Sequence, residues 1–78
     1  MRYIKLKFKT LEDVRNFVKI ANDFSITGNI VSEDRTYSVS MNSIIGIFSL
    51  NLSNAVFLEV ADVKDTGLFV DAIKNYIE

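Results

Sequence analysis

Ser43-Ile44-Ile45-Gly46-Ile47-Phe48-Ser49-Leu50 is the stretch on which the reading of the fold turns. Asn42 and Ser43 stand in front of it. Both are N-cap types, whose side-chain oxygen accepts a hydrogen bond from an otherwise unpaired amide of the first helical turn. The run is too short for a long helix and carries a glycine, and Asn51 follows as a candidate left-handed C-cap. The pattern predicts a single helix of about two turns. Ile44, Ile45, Ile47, Phe48 and Leu50 cannot all face inward on so short an element. Taken singly, each is as readily a core residue as an exposed one. As a group, an apolar cluster rimmed by polar side chains marks a contact surface.

Upstream, Thr36 to Met41 alternates, with Tyr37, Val39 and Met41 on one parity and Thr36, Ser38 and Ser40 on the other. Ser25 to Ser32 precedes it, with Ile26 and Ile30 in phase, and Glu33-Asp34-Arg35 makes a polar turn between the two runs. This reads as a β-hairpin. Gly28 weakens the first strand, or marks a bulge or the close approach of another element. Downstream, Ala55 to Val60 reads as a strand with Val56, Leu58 and Val60 inward. Asp65 can cap a last helix in which Phe69, Val70, Ile73, Tyr76 and Ile77 share a face.

At the other end, residues 2–9 alternate, with Ile4, Leu6 and Phe8 on one side and Tyr3, Lys5, Lys7 and Lys9 on the other. That is the period of a half-buried strand. Thr10 then occupies an N-cap position, with Asp13 three residues on as its first-turn partner. Leu11, Val14, Val18 and Ala21, flanked by Phe17, Ile20 and Phe24, describe an amphipathic helix over 11–23. The order is β-α-β-β-α-β-α in one domain, 1–78. It predicts an α+β open-faced β-sandwich: a four-stranded antiparallel sheet, three helices on one face, and a wet opposite face. That open face should carry Lys5, Lys7, Lys9, Thr27, Asn29, Ser38, Ser40 and Glu59.

The composition narrows function. The 78 residues include 9 Lys+Arg against 10 Asp+Glu, a net charge of −1, with no histidine and no cysteine. This removes the commonest general base and transition-metal ligand, together with thiolate sites, disulfides and a Cys nucleophile. No carboxylate pair has a spacing suited to acid–base work, so the reading is not an enzyme, with no cofactor and no metal. A chain this small buries only about 60% of its unfolded surface. Residues 1–19 hold a local +4 and the rest a local −5. A solvated strand face explains the first better than a basic stripe does, and the overall balance speaks against nucleic acid as a partner. No apolar run reaches the length of a membrane span, and the N-terminus lacks a signal-peptide core. A cytoplasmic protein is the expectation.

The Ser43–Leu50 segment resembles the second-helix signature of HPr, the histidine-containing phosphocarrier of the bacterial sugar phosphotransferase system. That family reads Ser-Ile-hydrophobic-Gly-hydrophobic-hydrophobic-Ser-Leu there. Ser43, Ile44, Gly46, Ser49 and Leu50 match it. The likeness extends to Val39 and Met41, to Val18, Ala21 and Phe24 in the first helix, and to Asp65, Val70, Ala72, Ile73 and Ile77 in the third. The family's open-faced β-sandwich has the same element order.

The departure is at the active site. The family reads Gly-hydrophobic-His-Ala-Arg-Pro at the start of the first helix. Here Thr10 stands at the expected histidine, Glu12 at the arginine and Asp13 at the proline. The imidazole that would carry phosphate is missing, and carboxylates replace the guanidinium that would hold it. A like-charge pair at about 4 Å costs ~1 kcal/mol in bulk water and ~4 kcal/mol near a protein surface. The resemblance therefore implies a relative unable to carry phosphate on histidine. Thr10 reads as a helix cap contributing about 1 kcal/mol.

In Gram-positive relatives the serine matching Ser43 is the target of a regulatory kinase, and some members without the histidine act only as regulators. Ser43 is then either a cap alone or a cap and a phosphorylation site. Ile44, Ile45 and Phe48 match a docking patch in the family, and Phe17 on the nearby first helix joins them as a fourth expected partner-binding residue. The implied partners are proteins, a serine kinase or a transcription regulator among them. A protein-interaction module or small homo-oligomer without phosphoregulation is the alternative.

Overall fold

A computed structural model describes residues 2–60 and 66–78. The elements are β1 (Arg2–Leu6), α1 (Leu11–Asp23), β2 (Gly28–Ser32), β3 (Ser38–Ser40), α2 (Ile44–Phe48), β4 (Val56–Val60) and α3 (Thr66–Ala72), followed by a 3₁₀ turn at Lys74–Tyr76. The strands form one four-stranded sheet in the order β1-β4-β2-β3, and every neighbouring pair is antiparallel. The fold is an α+β open-faced sandwich with the helices packed on one face of that sheet.

The register explains the core. Ile4, Leu58, Ile30 and Val39 stand side by side across the four strands. Leu6, Val56, Leu58, Val60 and Ile30 are all at most 1% exposed. Against them α1 presents Val14, Phe17, Val18 and Ala21, an i, i+3, i+4, i+7 stripe. Phe69 and Ile73 join from the C-terminal segment and are fully buried. Phe17 is the hub of the aromatic packing. Its ring lies edge-on to Phe8 at 5.3 Å and to Phe69 at 6.1 Å, distances at which such pairs attract.

Gly28 marks a close approach. A Cβ there would strike the main-chain carbonyl oxygen of Glu59 on β4 and press on Val60 and Met41. Its hydrogen atom is what lets β2 lie against β4 at that point.

Several elements are shorter than the alternation predicts, for identifiable reasons. β1 ends at Leu6, so Lys7 and Lys9 are not on the open face. The Lys7 amide donates to the Tyr76 carbonyl at 2.8 Å, and the Glu78 amide donates to the Lys5 carbonyl at 3.0 Å. The C-terminal residues thus line the outer edge of β1, and Ile77 bridges to Leu6. That pairing also ends the last helix at Ala72 and leaves Ile77 outside it. β2 starts at Gly28 because Ser25, at φ 54°, turns the chain out of α1. Thr27 therefore precedes the sheet. Tyr37 lies before β3 and is 65% exposed rather than inward. Leu11, at the first position of α1, is exposed while Phe17 takes the buried place. Asn51 is not a left-handed cap: α2 ends at Ser49 with φ −73°, and the Ser49 hydroxyl donates to the Gly46 carbonyl at 2.6 Å. Asp65, the expected cap of α3, lies outside the described residues.

The open face is less polar than its sequence pattern. Tyr3 and Lys5 of β1, Phe57 and Glu59 of β4, Asn29 and Val31 of β2, and Ser38 and Ser40 of β3 share it by register. The β2–β3 turn folds over it. The Arg35 guanidinium lies 5.1 Å from the Phe57 ring centroid and 6.0 Å from that of Tyr3, within cation–π range. Val31 on this face is 5% exposed.

Candidate functional site

The site is built from α2 and the start of α1. In α2 the chain leaves β3 through Met41 and Asn42. Asn42 ties this corner to the end of α1: its side-chain amide donates to the Asn22 side chain at 2.8 Å and to the Ile26 carbonyl at 3.3 Å. Ser43 then adopts an extended backbone, and its hydroxyl accepts the Gly46 amide at 3.0 Å. That is the N-cap geometry its position predicts. Gly46 lets the cap close. A Cβ there would stand 3.1 Å from Ser43 Oγ and 3.2 Å from Val39 Cβ, so a bulkier residue would push α2 off β3.

With the cap fixed, the five residues of α2 divide cleanly. Ile47 is buried, and Leu50 just beyond the helix is 6% exposed. Both point to the core. Ile44 is 37%, Phe48 39% and Ile45 84% exposed. These are the three residues expected to form a surface, and they lie on the outward side of one short helix. A neighbouring groove of about 340 Å³ runs between Phe48 and Leu52 on one side and Phe8, Lys9, Thr10 and Leu11 on the other. Ile44 in turn borders a depression along α1 with Glu12, Arg15 and Lys19. The groove beside Phe48 thus brings exposed Leu11, at the start of α1, next to α2, whereas the depression beside Ile44 is lined mainly by polar side chains.

Phe17 does not belong to it. Its side chain is fully buried between Phe8 and Phe69, where no partner can reach it. An aromatic on a helix face satisfies the core first when its sheet presents an apolar face of this size. Leu11 takes the exposed role instead, and Leu52 borders the same groove. Neither stood out in sequence. Leu11 began the apolar stripe of α1, and only its place at the helix end turns it outward.

The first turn of α1 is occupied by its own side chains. Thr10 Oγ1 accepts the Asp13 amide at 3.1 Å, and the Asp13 carboxylate accepts the Lys9 amide at 2.9 Å. Glu12 is exposed. An arriving anion would meet two carboxylates here, one of them already holding an amide of the chain entering the helix. The Lys7 ammonium donates to the Ser53 carbonyl, tying the entry of α1 to the turn before β4.

Elsewhere, Asp34 in the β2–β3 turn accepts the Thr36 amide at 3.0 Å and the Ser32 hydroxyl at 2.8 Å. The Thr36 amide, then the Ser32 hydroxyl, hold its carboxyl below the ordinary Asp value. Among the described residues no group of three or more carboxylates, histidines or cysteines could hold a metal. No helix among them is long and apolar enough to cross a membrane.

These features define a small open-faced sandwich whose distinguishing surface is an apolar, serine-capped helix between β3 and β4. Compared with known proteins, the chain matches no protein-family model and no curated protein sequence.

Proposed function

We propose that the protein is an HPr-like regulatory or adaptor domain of the bacterial cytoplasm that works by protein recognition. It does not carry phosphate on a side chain at the start of α1, and it is not an enzyme. The observation that carries this reading is the outward side of α2. Ile44, Ile45 and Phe48 are exposed on a brief helix joining two strands, behind a serine cap, in a β-α-β-β-α-β-α chain.

The start of α1 supports the negative half. Phosphotransfer through histidine needs an imidazole and a cation beside it. Thr10, Glu12 and Asp13 supply a cap and two negative charges. Phosphoryl groups are repelled there rather than gathered.

Ser43 is the proposed point of regulation. Its hydroxyl is partly exposed and faces the Gly46 amide. A phosphate there would add nearly two negative charges beside amides that lack helical partners. It would also set that charge next to Ile44 and Ile45, changing what a docking protein meets. The plain cap seen at Ser43 equally suits the second reading, an interaction module with no phosphoregulation.

Two incubations test the proposal. With Enzyme I and phosphoenolpyruvate, no acid-labile phosphate should appear on the chain, and its appearance overturns the claim. With the serine kinase of the phosphotransferase system and ATP, wild type should gain the mass of one phosphate and Ser43→Ala should not. A gain that persists in Ser43→Ala assigns the wrong residue. No gain in wild type leaves recognition without phosphoregulation.

A further inference from the structure

We draw no further inference here: the strongest candidate, the Tyr3–Arg35–Phe57 stack on the open face of the sheet, is closed by the chain's own guanidinium, and nothing in the structure shows what else would cover that face.

Discussion

Ile45→Ala and Ile47→Ala remove the same atoms from the same short helix and should have opposite consequences. Ile47 is fully buried among the core residues, and Ile45 is 84% exposed. Truncating Ile47 loses its transfer free energy and leaves a cavity that the sheet behind it cannot fill. For buried Ile→Ala that costs about 2–5 kcal/mol. In a domain of this size, about 1 kcal/mol shifts Tm by about 4–8 °C, so Ile47→Ala should melt at least about 8 °C lower. Ile45→Ala exposes no new surface, and alanine is the better helix former by a few tenths of a kcal/mol. Its stability should stay within about 0.5 kcal/mol of wild type. Urea unfolding followed by far-ultraviolet circular dichroism measures both, and equal m-values would confirm that the same surface is exposed in each. A loss of more than about 1 kcal/mol in Ile45→Ala would show that this side chain is packed. The outward surface of α2, and the docking role built on it, would then be wrong. The converse result, an unaffected Ile47→Ala, would reverse the orientation of the helix.

Three other perturbations read separate parts of the fold. Arg35 sits at φ 63°, a conformation that costs a residue with a Cβ about 1 kcal/mol, yet its guanidinium lies over two rings. Arg35→Ala keeps the backbone cost and loses the stacking, for a net loss of about 1 kcal/mol, whereas Arg35→Gly relieves the backbone and should be close to neutral; a glycine variant less stable than the alanine one would refute this. Gly28→Ala should destabilise by about 3 kcal/mol because its methyl meets the Glu59 main chain rather than a movable side chain, and a wild-type denaturation midpoint would contradict that contact. Asp34 has a lowered folded-state pKa, so its contribution is present above the ordinary Asp value and is lost as pH falls through the folded value. Asp34→Asn should therefore flatten the acid end of a Tm-against-pH curve and leave its slope near neutrality unchanged.

What the sequence made legible was whatever had a short-range cause. The bounds of α1 follow from Thr10 and an apolar period of 3.6, and α2 follows from Ser43 and the brevity of its apolar run. The inward residues of β4 follow from strict alternation. What failed had a long-range cause. Lys7 and Lys9 keep the parity of β1, but β1 is paired with β4 only as far as Leu6 opposite Val56, a register set by residues about fifty positions away in sequence. Phe17 and Leu11 are both apolar residues on α1, and only the position of the sheet beneath and of Phe69 decides which is covered. Arg35 read as turn polarity. Its place over Phe57 depends on a left-handed backbone that no single-residue preference for arginine would suggest.

The same division separates scaffold from site. At the start of α1 three hydrogen bonds hold the chain to itself: the Asp13 amide donates to Thr10, the Lys9 amide to the Asp13 carboxylate, and the Lys7 ammonium to the Ser53 carbonyl. These bonds fix the chain where it enters α1. On α2 the internal work falls to Ser43, Gly46 and Ile47. Ile45 carries none of it, and Ile44 and Phe48 little. Their outward area adds nothing to folding, and covering it on association would be favourable by about 25 cal/mol per Å² of apolar area. Three apolar side chains exposed together on one short helix are why the proposed recognition centres on α2 rather than on α1.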